Sequence, residues 1–423
     1  MSTTATSKLQ LDVAERFRSV RRRTLKLCDS LTAEDMMVQS CPEASPAKWH
    51  LAHTAWFFES FILNIFSPDY SLFNEDFPWL FNSYYRSFAE FPEKRLRSSF
   101  SRPSFDEISR YRRYVDEHVD RLLEAGAPEP EVLRRIELGA NHEEQHQELL
   151  LTDILHAFYT NPLRPAYLGE SVVDEGREIG DVRFVQFPGG LVRVGFEGSG
   201  FSYDNELPRH KVWLEAYSLA NRLVTNGEFA EFIAEGGYER SELWLSAGWD
   251  AVEQNRWRAP LYWNQDDLGW KLFTLRGELP LEAMRNVPVS HVSYFEADAY
   301  ARWAGKRLAT EFEWESAADK AAVSGNLMDK GRLTPMAAED SGDDLAQMWG
   351  DCWEWTASAY LGYPGFEPLA GSLGEYNGKF MSGQMVLRGG SCATPKAHIR
   401  SSYRNFFPPE TRWQFSGIRL AEK

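Results

Sequence analysis

Along the first third of the chain, apolar residues recur every three to four positions with little Gly or Pro between them, a period that predicts long helices. Four are expected. The first covers residues 11–30. The second opens at Ser45-Pro46, where a capping hydroxyl precedes Pro at the first helical position, and runs from 47 to about 65. A third spans 104–124, and a fourth begins after Pro130 and continues to about 159, where Asn161-Pro162 stops it. Four such helices suffice for a bundle. Between the second and third, residues 68–103 form a connection rich in aromatics, Pro and Arg. It is too aromatic to be disordered and is expected to fold over one end of the bundle.

After about residue 164 the pattern changes. Residues 170–181 are polar and acidic and read as a linker. Short alternating runs at 183–187 and 190–195 read as strands, Gly and Pro become dense, and only 294–304 and 311–318 read clearly as helices. The expected layout is a helical bundle over residues 1–165, a linker over 166–182 and a loop-rich mixed domain over 183–423, an α+β multidomain chain. A length of 423 residues fits this, being too long for one core.

Composition narrows the function classes. Hydrophobic residues at 43% and charged residues at 26% describe an ordinary globular chain, while 14% aromatics with 15 Trp point to large packed surfaces. A net charge of -16 speaks against nucleic acid as partner, and the basic run Arg18, Arg21, Arg22, Arg23, Lys26 reads as a solvated helix face. No apolar stretch is long enough for a bilayer, and none near the N-terminus resembles a signal segment, so no membrane partner is expected. Four cysteines without metal-ligand spacing suit a reducing compartment, and a cytoplasmic enzyme is expected.

The strongest chemical signal is Asn141-His142-Glu143-Glu144-Gln145-His146-Gln147-Glu148. On a helix, His142 and His146 lie one turn apart and can grip one ion, and neutral imidazole suits iron, zinc, copper or nickel. The string also matches the His-Glu-x-x-His of zinc proteases, so it does not fix the chemistry. A third ligand must come from elsewhere. His50 and His53 lie together in the second helix, and spacing does not choose between them.

Four segments carry a resemblance: Ser45-Pro46-Ala47-Lys48-Trp49-His50-Leu51-Ala52-His53, the stretch from His142 to Glu148, Leu387-Arg388-Gly389-Gly390-Ser391-Cys392, and Tyr403-Arg404-Asn405-Phe406-Phe407-Pro408-Pro409. Together they resemble the ergothioneine-biosynthesis sulfoxide synthases (the EgtB family), and the likeness runs over nearly the whole chain. It implies an N-terminal DinB-like four-helix bundle and a C-terminal domain of the formylglycine-generating-enzyme, C-type-lectin-like fold, in which Trp353-Glu354-Trp355-Thr356 and Arg388 to Ser391 are structural. It also implies that His53, His142 and His146 hold one Fe(II), with His50 outside the ligand set. Three neutral histidines leave positions for a thiolate, an imidazole and O2. The implied reaction joins cysteine, or γ-glutamylcysteine, to the 2-position of Nα-trimethylhistidine (hercynine) with O2, giving a sulfoxide.

The same resemblance gives Gln145 and Asn405 a part in holding hercynine, with Phe406 and Arg404 beside Asn405. It places Tyr84 and Tyr85 at the site, where a phenol can donate a proton to reduced oxygen and steer the outcome toward C–S bond formation. A substrate carboxylate calls for Arg, and Arg86, Arg95, Arg97 and Arg404 are candidates. Members that select γ-glutamylcysteine carry Asp where Phe407 stands, which favours plain cysteine here. The segment from Arg86 to Arg97 departs from the family pattern and keeps a related selenoneine synthase, which takes a selenosugar, as an alternative. Zinc-dependent thiol transferases with a DinB bundle share the three histidines but lack the C-terminal domain.

Overall fold

The computed structural model describes residues 3–423 other than 87, 127, 170–176, 320 and 340–343. The middle of the expected linker, 170–176, therefore lies outside the described residues. The chain divides into one unit of Met1–Asn161 with Ala370–Tyr376, and another of Pro162–Leu369 with Asn377–Lys423.

The first unit is built from α1 (Thr3–Lys26), α2 (Ala47–Phe58), α3 (Phe105–Glu124) and α4 (Pro130–Thr160). Every residue of α2 is buried, which makes it the central element: it packs on α3 and α4, and α1 packs on α4. A helix with no wet face must satisfy its polar side chains internally. Lys48 does so by donating to the carbonyls of Phe100 at 2.7 Å and Pro103 at 2.8 Å, which pins the end of the aromatic connection. On α3 the buried positions Ile108, Tyr111, Val115, Val119 and Leu123 follow the helical period, and Ser104 caps it by accepting from the Glu107 amide.

Three expectations are corrected. The second helix does not run straight to 65: at Glu59–Leu63 it widens into a π turn before Asn64–Phe66. Glu59 opens that turn with a buried carboxylate that accepts from the Tyr111 hydroxyl, the Tyr70 hydroxyl and the Phe73 amide, tying α2 to α3 and to the aromatic connection. Ser45 does not cap α2, whose N-cap is Pro46. Its amide donates to Asp153 and its hydroxyl accepts from Arg97, so both groups are already committed. Nor is the basic run solvated throughout: Arg22 and Lys26 are exposed, but Arg21 is not. Arg21 is buried and pairs with Glu143 at 2.7 Å and Asp116 at 2.7 Å.

Glu143, next to His142, is the hub of a buried cluster. Arg112 reaches it at 2.9 Å and also donates to the Leu51 carbonyl and Thr54 hydroxyl of α2, while Thr24 donates at 2.6 Å. A single guanidinium thus locks α2 to α4 near the histidines.

The second unit contains two four-stranded sheets. One has the order β1 (Phe184–Phe187), β4 (Tyr217–Ala220), β13 (Leu420–Glu422), β8 (Arg307–Leu308); the other has β11 (Asn405–Phe407), β10 (Met385–Arg388), β9 (Trp353–Ala359), β12 (Ser416–Gly417). A hairpin of β2 (Gly190–Val194) with β3 (His210–Leu214), and a meander of β5 (Trp263–Asp266), β6 (Gly269–Thr274) and β7 (Gly277–Pro280), complete it. Its helices include α5 (Asn226–Ala234), α6 (Ser246–Asn255), α7 (Tyr294–Trp303) and α8 (Glu311–Ala318), and capping boxes open α5, α7 and α8. So loop-rich a unit leans on buried charge pairs: Arg388 binds Glu311 and Glu315, and Arg419 binds Glu354, which also accepts from the Trp314 indole. Among the described residues no helix is long and apolar enough to cross a membrane.

Candidate metal centre

Position 53 on α2 and positions 142 and 146 on α4 face each other across the helix pair that Arg112 clamps. One nitrogen from each of His53, His142 and His146 lies within 4.8 Å of the other two, and all three side chains are buried. The geometry brings His53 into this group and leaves His50 beside it, hydrogen-bonded to His146 through the two Nδ1 atoms at 2.8 Å.

Each ring is held differently. His53 is stacked between two indoles, Trp49 at 4.4 Å and 13° and Trp56 at 5.1 Å and 15°. Its Nδ1–H donates to the Phe81 carbonyl at 2.7 Å, which leaves the lone pair on Nε2. Among the described residues that Nε2 has no hydrogen-bond partner, and neither nitrogen of His142 has one. Phe57 packs on His142 at 4.5 Å. Burial pushes all three imidazoles down, His142 to about 3, so they stand neutral near pH 7 with lone pairs to give. Buried nitrogens without partners are rare in proteins, and those of His53 and His142, converging with a neutral His146, fit a metal ion.

Around this cluster the first unit supplies phenols. Tyr85 is fully buried against Trp56 at 5.7 Å, and Tyr84 stacks on it at 4.6 Å with the two hydroxyls 3.5 Å apart. Burial pushes the Tyr84 phenol up, so it keeps its proton. A third phenol was not anticipated from sequence: Tyr376, within Ala370–Tyr376, sits edge-on to His142 at 5.7 Å and near Tyr84 at 6.3 Å. Only its chain neighbourhood of Gly and polar residues, ordinary for a loop, marks it in the sequence.

Among the arginines, Arg86 and Arg95 are exposed. Arg97 is buried, with its guanidinium 3.4 Å from the centre of the Trp49 ring and bonds to the Ser45 and Ser83 hydroxyls. No carboxylate among the described residues pairs with it, and burial lowers it to about 9, still charged at neutral pH. Gln145 is half-buried on α4. Three expected site residues lie in the second unit. Asn405 opens β11 and accepts from the Phe406 amide, and Phe406 stacks on Tyr360 at 3.9 Å. Arg404 holds Glu311 through two nitrogens, at 2.9 and 3.0 Å, and donates to the carbonyls of Asn205 and Leu361.

A bundle carrying three inward histidines, followed by a domain of buried arginine pairs and short sheets, defines a two-part class of protein. Residues 16–150 match the DinB superfamily, and residues 177–343 and 329–423 match the sulfatase-modifying factor enzyme 1-like domain. Over 448 residues the chain is 32% identical to the hercynine oxygenase of Mycolicibacterium smegmatis, covering 97% of this chain and 98% of that one. Against the hercynine oxygenase of Mycobacterium tuberculosis it is 33% identical over 428 residues, covering 95% and 96%. The formylglycine-generating enzyme of Streptomyces coelicolor is 34% identical over 158 residues, 32% of this chain and 46% of that one. The chain belongs to the hercynine oxygenase family.

Proposed function

We propose that this chain is an iron(II)- and O2-dependent sulfoxide synthase of ergothioneine biosynthesis, joining the sulfur of cysteine to the imidazole of hercynine in the cytoplasm. The observation that carries the reading is the convergence of the His53, His142 and His146 nitrogens in a buried cluster, in a chain that aligns over nearly its whole length with hercynine oxygenases. These three histidines are assigned as the iron ligands. Iron(II), when bound, supplies the redox chemistry that lets O2 react with a thiol beside an imidazole.

The remaining work falls to the chain's own groups. Arg97 is assigned to a substrate carboxylate, because among the described residues no carboxylate bonds this buried guanidinium directly, which leaves it costly until an anion arrives, whereas every nitrogen of Arg404 is already engaged. The indoles of Trp49 and Trp56 fix the plane of His53 and keep water from its faces. Tyr84 and Tyr85, with hydroxyls 3.5 Å apart, are assigned as the proton source that steers reduced oxygen away from simple thiol oxidation. The family resemblance assigns Gln145, and Asn405 with Phe406, to hercynine. Holding both substrates in place contributes a large part of the rate.

The test is anaerobic reconstitution with Fe(II), then O2, with mass spectrometry of products from hercynine and cysteine. His53→Ala, His142→Ala and His146→Ala should each lose bound iron. Full iron in any of these, or no C–S product with any thiol, would overturn the assignment, and turnover only with a selenosugar would move the reading to selenoneine synthesis.

A further inference from the structure

His146 has a neighbour that the ligand set does not use. Asp153, on α4, accepts from the Ser45 amide at 2.8 Å and lies 3.0 Å from His50 Nε2, all through its Oδ2. His50 in turn meets His146 Nδ1 to Nδ1 at 2.8 Å. All three side chains are buried.

The proton positions follow from one fact: an ionised carboxylate only accepts. His50 must therefore carry its proton on Nε2 to bond Asp153, which leaves a lone pair on its Nδ1. Two bare Nδ1 atoms would repel at 2.8 Å, so the proton between the rings belongs to His146. With Nδ1–H fixed, His146 has its lone pair on Nε2, free for an ion. The opposite arrangement would point a bare His50 nitrogen at the carboxylate and place a hydrogen on the His146 nitrogen that a metal needs.

We propose that Asp153 and His50 are positioning residues that lock His146 into its Nδ1–H tautomer and orientation, making its Nε2 a metal donor. The three ligands are then unequal. His53 is fixed by a neutral backbone carbonyl, at Phe81. His142 has no such partner among the described residues. His146 alone is linked through a second ring to a full negative charge, which raises its donor strength as well as its order.

This inference rests on the three-histidine reading above, and cobalt(II) separates the two. Co(II) is titrated into the metal-free full-length protein under argon, and its visible ligand-field absorption gives both affinity and geometry. His50→Leu fills the space without an acceptor, whereas His50→Asn places an oxygen near where Nδ1 stood. Leu should weaken Co(II) binding roughly 10- to 100-fold and shift the bands, with Asn recovering most of the loss. Asp153→Ala should weaken binding similarly, and Asp153→Asn, which keeps an acceptor oxygen, should do so less. Melting of the metal-free variants tells misfolding from lost coordination, and if the His50 variants fail to fold the Asp153 pair decides. Wild-type affinity and spectrum in His50→Leu or Asp153→Ala overturns the relay, as does equal loss in the Leu and Asn variants. If the wild type itself binds no Co(II), the metal reading has failed and the relay falls with it.

Discussion

Replacing Arg97 by methionine removes a guanidinium that is only 5% exposed and that, among the described residues, forms no ion pair, although the charge of Asp153 supports it. Its bonds to Ser45 at 2.8 Å and Ser83 at 3.0 Å occupy two of its five N–H groups, leaving donors for an anion. A hydrogen bond to a charged group contributes about 1.5–3 kcal/mol, which is roughly 10- to 150-fold in specificity. The assay compares kcat/KM for cysteine with that for cysteamine, the same thiol without its carboxylate. Wild type should favour cysteine by roughly 10- to 150-fold, and Arg97→Met should bring the ratio close to one by losing cysteine turnover. Arg97→Lys should lie between, because an ammonium cannot make the same forked contact. Iron content is measured alongside, since Trp49 is stacked between Arg97 and His53. If Arg97→Met still prefers cysteine as strongly as wild type, with iron intact, the anchor is elsewhere.

The other predictions are more direct. Tyr84→Phe or Tyr85→Phe should divert turnover toward cysteine sulfinate, read as a product ratio; unchanged coupling in both would make the phenols packing alone. Cysteine should surpass γ-glutamylcysteine by roughly tenfold or more in kcat/KM, because Phe407 offers no acid to the glutamyl ammonium, and the reverse preference sinks that argument. Burial alone would raise Glu143, but Arg21 and Arg112 with the Thr24 hydroxyl override it and hold the carboxyl at about 2. Arg112 is itself pushed down by burial and by Arg21, so the carboxylate is the member that gains. A group depressed on folding stabilises the fold above its unfolded pKa, near 4.3, and that contribution is lost as pH falls toward 2. Melting should decline over that window by about 3 kcal/mol in stability, and Glu143→Gln should be weaker at pH 7 with a flatter acid slope. An unaltered slope would remove Glu143 from the acid response.

The helices were legible because their signals are local. The Ser104 cap, the period of α3 and the His142/His146 spacing each need only a few neighbouring residues. What was missed depends on partners far along the chain. Ser45 read as a cap until Asp153, 108 positions away, was seen to take its amide. The Arg21 charge read as solvated because its acids lie on α3 and α4, and the choice between His50 and His53 needed the Phe81 carbonyl and Asp153 as well as the family likeness. In the second unit, Arg404 looked available for substrate because nothing nearby announces Glu311 as its partner. The π turn at Glu59 likewise answers to Tyr70 and Tyr111, not to its own sequence.

Ala370–Tyr376 belongs by sequence to the stretch that matches the sulfatase-modifying factor domain, yet by packing to the helical unit. The two parts are therefore not exchangeable cassettes. A hybrid gene that kept this bundle and took its second half from elsewhere would keep the three histidines but give up Tyr376, the ring set against His142. Here the second half's sequence lends the helical unit a loop, so neither half can be traded away whole.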